Sequence, residues 1–130
     1  MSKQMDKIID DLLNLGEEKA KKVVYDAASE LRRIVKKDDE PWKKAVVAIL
    51  ASAIEREGAE GLKKAKAEVD KLLSGKKANL SFVDLDAQSK ALTVLQKMEA
   101  SEKSKTRAYC SVALEIATAL LSGFVKTALI

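Results

Sequence analysis

Residues 41–54 read PWKKAVVAILASAI, and this stretch sets the centre of the predicted fold. From Ala45 to Ile54 it contains one hydroxyl side chain among apolar residues. A helix that is apolar on all sides must lie inside the protein. Pro41 suits the first position of such a helix, because its missing N–H would have no partner within the helix. The stretch therefore predicts a central helix, the third of the chain, over about residues 41–57.

Two amphipathic patterns precede this helix. Apolar residues recur at the spacing of one helical face over residues 5–13 and again over residues 20–35. Gly16 lies between them, and glycine costs about 1 kcal/mol inside a helix but suits its C-terminal end. We expect two helices separated at Gly16, with one bent rod as the alternative. A polar connection is predicted near residues 36–40.

Two further helices are predicted after the central one. Gly58 and Gly61 are expected to bracket a short connection, and an apolar stripe then marks a fourth helix over residues 62–73. A loop is predicted near residues 75–80. The segment from Ser81 to Asp84 fits a capping box for a fifth helix, in which Ser81 is the capping residue.

The last and most apolar helix is the sixth, predicted over about residues 108–128. The polar interval of residues 99–107 before it fits either a turn or an exposed part of a longer helix. Polar residues recur along the sixth helix at intervals of three or four and form one seam: Ser111, Glu115, Thr118, Ser122 and Lys126. Whether Glu115 is buried is left open by the sequence.

These patterns predict an all-α fold. The chain has 130 residues, of which 47% are hydrophobic and 34% charged, which is enough for one core. No internal repeat and no Gly-, Ser- or Pro-rich tract marks a boundary. We expect a single domain over residues 1–130, a compact bundle of five or six amphipathic helices with helices three (about 41–57) and six (about 108–128) central.

The composition excludes several kinds of active site. The chain has no histidine and one cysteine, so it lacks the commonest general base and cannot build a thiolate cage or an internal disulfide. Residues 74–77 are similar to the end of a phosphate-binding loop, but Asp70 stands where its first glycine is required. We expect no catalytic residue, no metal ligand and no cofactor, and therefore a protein that is not an enzyme.

The charge is weakly positive and uneven. The net charge is +4, and residues 41–79 carry nine basic and five acidic groups. Cys110 stands alone in an apolar stretch, which favours a reducing compartment. The first residues run directly into an amphipathic pattern and lack the apolar stretch of a signal peptide. A cytoplasmic location is expected.

The sixth helix is the predicted site of protein–protein contact. Its apolar surface is broader than one small domain can cover, and the chain ends on apolar residues. The predicted partner interface consists of Leu114, Leu121, Phe124, Val125, Leu129 and Ile130. The alternatives are a helix buried in its own bundle and a membrane-associated helix. A span of the bilayer would place Glu115 and Lys126 in it at a cost of several kcal/mol each.

A lysine-rich segment, residues 62–77, supports an alternative function. Its lysines offer possible phosphate contacts: Lys63, Lys64, Lys66, Lys76 and Lys77. Two of these lysines, Lys64 and Lys66, have acidic residues four positions away, in the pairs Glu60–Lys64, Lys64–Glu68 and Lys66–Asp70. A self-paired, solvated face is therefore the simpler interpretation. Aromatic residues that would stack on bases do not interleave with the lysines.

The sequence thus favours a structural or adaptor protein that acts through helix–helix association. Its expected partner is itself or another helical protein. The alternatives are a nucleic-acid-binding accessory protein that uses residues 62–77 and a membrane-associated protein that uses the C-terminal helix.

Overall fold

The computed structural model describes residues 2–130, with side chains from Lys3 onward. Along these residues lie five α-helices, α1 (Ser2–Leu15), α2 (Glu17–Arg32), α3 (Pro41–Leu73), α4 (Leu85–Lys90) and α5 (Ala100–Leu129). A π-helical turn over Ala91–Leu95 extends α4. The part of the chain that the structure describes contains no strand, and its five helices pack together. The predicted all-α bundle is confirmed.

Gly16 separates α1 from α2. Its φ of 86° lies in the left-handed region, which residues other than glycine rarely adopt. The helix α1 ends at Leu15 and α2 begins at Glu17. The two N-terminal patterns are therefore two helices, and the single bent rod is excluded.

The third and fourth predicted helices are one helix, α3, bent at Gly58. Gly58 has φ 63° and ψ −144°, a conformation almost restricted to glycine. The expected connection between Gly58 and Gly61 is wrong, because the helix resumes directly after the bend and Gly61 is buried within it. A Cβ added at Gly61 would lie 2.7 Å from the carbonyl carbon of Ala53. Glycine at this position therefore lets the two segments of α3 approach each other closely.

The helix α4 begins three residues later than the capping-box prediction placed it. Asp84 is the capping residue, and its carboxylate accepts a hydrogen bond of 2.8 Å from the backbone N–H of Ala87. The Asp84 N–H in turn donates to the buried hydroxyl of Ser52, which ties the start of α4 to α3. Ser81 donates to the side chain of Asn79 within the loop, so its predicted capping role is wrong.

The last helix begins at Ala100, eight residues before its predicted start near residue 108. The polar interval is therefore part of a longer helix. Thr106 ties this part of the helix to the core, because it is fully buried. Its hydroxyl donates to the Glu102 carbonyl and contacts the Met98 sulfur. Thr106 is the one buried position between residues 100 and 107, a stretch that is otherwise polar or small in sequence.

The core lies where α2, α3 and α5 pack on one another, with α1 beside them. The first half of α3 is buried on nearly all sides, with every residue from Ala45 to Ile54 except the half-buried Ala48 removed from solvent. The helix α5 is buried on one face only, through Thr106, Cys110, Ala113, Leu114, Ala117, Thr118, Leu121 and Val125. Its opposite face is left to solvent.

Candidate interaction surface

The described residues do not bring metal-ligating side chains together, and their one cysteine lies in the core. No group of three or more His, Cys, Asp or Glu side chains among them is placed to hold a metal ion. Cys110 is buried, and burial raises the pKa of its thiol to about 11. The reactive thiolate is therefore scarce near neutral pH. What the protein offers to other molecules lies on its surface.

The structure separates the six residues predicted for a partner interface. Three of them, Leu114, Leu121 and Val125, are buried in the core of the chain and have no surface to offer. Phe124 is half-buried beside α2, where it lines a shallow cleft with Val23. Leu129 is 52% exposed and Ile130 is fully exposed. A partner that contacts α5 therefore has to contact the side of this helix that faces away from the core.

That other side, the outer face of α5, contains only Leu129 and Ile130 of the residues predicted for the partner interface. We define it by the exposed and half-exposed residues that point away from the core: Ala108, Ser111, Val112, Glu115, Ala119, Ser122, Gly123, Lys126, Leu129 and Ile130. Val112 is 52% exposed. Between residues 108 and 125 the outer face carries one charge, that of Glu115.

The other helices present a different surface to water. On α2 most exposed positions are charged, as at Glu17, Glu18, Lys19, Lys21, Lys22 and Arg32. Four of the five residues of the predicted polar seam lie on the outer face of α5, and Thr118 is buried and donates to the Leu114 carbonyl. Glu115 is exposed. The seam is the solvent side of α5, and small or apolar residues surround its few polar groups.

Aromatic packing fixes the rotation of α5 and hence the direction of its outer face. Trp42 at the start of α3 is 8% exposed, and its indole N–H donates to the Glu40 carboxylate at 2.6 Å. Its ring meets that of Tyr109 edge to face, with centroids 5.6 Å apart. Burial raises the pKa of Tyr109 above its ordinary value. This contact holds the first turns of α5 against α3.

The lysine-rich segment is divided between paired and solvated side chains. Lys63 lies 2.6 Å from the Asp6 carboxylate of α1, and Lys64 pairs with Glu57 across the bend in α3. Lys66, Lys76 and Lys77 are exposed. The three predicted pairs at four-residue spacing are not among the ion pairs of the described residues, in which Lys64 pairs with Glu57 and Glu68 pairs with Lys71.

Glu68 is a structural residue that the sequence analysis assigned only to a lysine pair. It is 7% exposed, and its Oε1 accepts the backbone N–H of Asn79 at 2.7 Å. Its Oε2 lies 2.9 Å from Lys71 Nζ. These two donors hold the pKa of the Glu68 carboxyl below its ordinary value, with the Asn79 hydrogen bond as the larger cause. Glu68 thus anchors the loop between α3 and α4, a contact that no sequence spacing indicates.

A positively charged pocket of about 340 Å³ lies between the α2–α3 connection and α4. It is lined by Arg32, Lys36, Lys37, Lys44 and Lys90 together with Asp84 and Asp86. Much of this charge is already used within the protein. Arg32 pairs with Glu55, Lys44 donates to the Lys37 carbonyl, and Lys90 pairs with Asp86. Three of the five cations that line the pocket therefore have partners within the chain.

By length and composition α5 is also the one helix among the described residues that could cross a membrane. In its most apolar 18-residue window, 39% of the residues are buried inside the bundle. Core helices of soluble proteins have the same length and apolar composition. In comparisons with known proteins, no family model, no curated protein and no solved structure matches the chain.

Proposed function

We propose that this protein is a non-enzymatic structural or adaptor protein that acts through helix–helix association, and that it self-associates through the outer face of α5. The observation that carries the proposal is the exposed, charge-poor surface from Ala108 to Gly123 on a helix whose other face is already in the core. Charged residues are depleted at the centres of protein interfaces, whereas free surfaces are rich in them. A reducing, cytoplasmic location is kept as part of this proposal, since the lone thiol is buried.

The other candidate functions have less support. Nucleic-acid binding through residues 62–77 loses two of its five lysines to ion pairs with Asp6 and Glu57. Membrane association shares the outer face of α5 with our proposal. Insertion of that helix would have to remove Glu115 from water and separate α5 from the core that it forms with α2 and α3.

The test compares two exposed alanines that lie on different helices. Ala119 is on the outer face of α5, and Ala67 is exposed on the second half of α3. Ala119→Lys adds a charge to the proposed contact, and the new lysine lies four positions after Glu115, a spacing that supports the helix itself. We expect Ala119→Lys to abolish or strongly weaken self-association in light scattering after size exclusion, whereas Ala67→Lys leaves it unchanged.

Three results would contradict the proposal. The first is a molecular mass of one chain at all concentrations. The second is equal weakening by both lysine variants, which would remove the assignment to α5. The third is sedimentation of the unmodified chain with lipid vesicles, abolished by Ala119→Lys, which would favour the membrane alternative.

A further inference from the structure

The outer face of α5 carries two opposite charges, one on each side of its middle. Glu115 and Lys126 are the only charged residues between positions 108 and 130, and both are exposed. They are eleven residues apart, which is about three helical turns and about 16 Å along the axis, so they lie on the same line of the helix. Neither is in an ion pair with another described side chain.

We propose that two copies of the chain pair antiparallel along their α5 helices, so that Glu115 of each copy meets Lys126 of the partner subunit. This pairing rests on the proposed self-association and specifies its geometry. A two-fold axis between Leu120 and Leu121 brings the two charges together twice, as an isologous contact requires. The parallel arrangement in the same register places Glu115 on Glu115 and Lys126 on Lys126, and like charges in an interface are unfavourable.

Apolar residues that were not used to set this register agree with it. When Glu115 is opposite Lys126, Val112 falls opposite Leu129, and Ser111 falls opposite Ile130. Val112 and Leu129 are the two large apolar side chains of α5 that are exposed to solvent, each at 52%, whereas Phe124 is half-buried. The pairing therefore covers both from water at once and also covers the fully exposed Ile130.

The residues at the crossing point permit a close approach. Ala119 falls opposite Ser122, on either side of the two-fold axis, and Gly123 lies beside them. A Cβ added at Gly123 meets no atom within 4 Å in the single chain, so this part of the surface is open. Helices that pack at 8–10 Å between axes need small side chains at their closest point. The larger apolar residues stand near the two ends of the contact.

Charge reversal tests the electrostatic part of the pairing. Glu115→Lys changes two attractive contacts into two repulsive ones, and we expect the dissociation constant of the dimer to rise about tenfold at low salt. Lys126→Glu is expected to do the same. The double variant exchanges the charges and should restore association to near the original level. Loss of association that the double variant fails to restore would overturn the pairing of these two residues.

Crosslinking through introduced cysteines tests the direction. In the antiparallel pairing the two copies of residue 122 lie about 4.5 Å apart along the axis, whereas the two copies of residue 111 lie about 28 Å apart. A short bis-maleimide reagent should therefore link the Ser122→Cys dimer and leave Ser111→Cys unlinked. The unmodified chain is the control for the native Cys110, which is buried.

The outcomes separate the two proposals. Linkage at both positions would show a parallel dimer, and linkage at neither in a protein that is still dimeric would show a different contact surface or register. Either result overturns the antiparallel pairing, and the parallel dimer leaves self-association through α5 in place. A chain that is monomeric in light scattering overturns both.

Discussion

The close approach of the two segments of α3 predicts that the methyl group added by Gly61→Ala destabilises the fold. A Cβ added by Gly61→Ala would lie 2.7 Å from the Ala53 carbonyl carbon and closer still to its oxygen, whereas ordinary contacts begin near 3.4 Å. Both atoms belong to the backbone, so no side-chain rotation relieves the clash. The two segments of α3 would have to separate by about 0.7 Å or more, at the centre of the core.

The size of the effect follows from two opposing terms. Overpacking in a core costs about 1–3 kcal/mol, and a rigid backbone clash belongs at the upper end. Replacement of glycine by alanine within a helix returns about 0.5–1 kcal/mol. We therefore expect Gly61→Ala to lower the free energy of unfolding by about 2 kcal/mol, which for a chain of this size lowers the unfolding temperature by about 8 °C.

Gly123→Ala is the matched control. It makes the same substitution within a helix, at an exposed position where the new Cβ meets nothing within 4 Å, and it should raise the free energy of unfolding by about 0.5–1 kcal/mol. Both variants are compared with the unmodified chain by thermal unfolding in circular dichroism, at one low concentration because association adds to apparent stability. An unfolding temperature for Gly61→Ala at or above that of the unmodified chain would refute the close approach at the bend.

Two further predictions concern Glu68 and Cys110. The pKa of Glu68 is lowered in the folded chain, so its contribution to stability is present above about pH 4.5 and is lost as the pH falls through the folded value. Glu68→Gln should lower the free energy of unfolding by about 1–2 kcal/mol at pH 7 and by less at pH 3 in urea titrations. Asp70→Asn, an exposed neighbour, should give no such trend. An equal loss at both pH values would contradict this role of Glu68. With a pKa of about 11, about one Cys110 thiol in a thousand is ionised at pH 8, so a disulfide reagent should label it at least a hundredfold more slowly than free cysteine. Labelling at the rate of free cysteine would show that the thiol is exposed.

Several features of the fold were predictable because local chemistry alone decides them. Gly16 ends a helix because its backbone conformation suits few other residues, and Pro41 starts one because its ring suits the first turn. The apolar run from Ala45 to Ile54 had to be buried whatever surrounds it. In each case the residue and its immediate neighbours determine the outcome.

Other features depend on contacts between residues that are distant in sequence, and these features could not be predicted from local patterns. The second glycine of α3 looked like the end of a connection, because nothing near Gly61 in sequence shows that it packs against Ala53. The sequence left the start of α5 open between a turn and part of a longer helix, because one buried threonine among charged residues gives little periodic signal. The lysine pairs followed helical spacing, whereas the bend in α3 gave Lys64 a partner seven residues away.

The candidate surface shows the same division. The sequence alone determined that the C-terminal helix is strongly apolar and that Glu115 and Lys126 are its only charged residues after Arg107. It predicted, without testing it, that a partner binds there. Only the tertiary structure decided which side of this helix faces the core. Leu114, Leu121 and Val125 are larger and more apolar than Ala119, Ser122 and Gly123 at the middle of the outer face, and their burial removes more apolar area from water. The chain uses the more apolar side of this helix for its own core, and the side left to solvent carries small residues and two opposite charges.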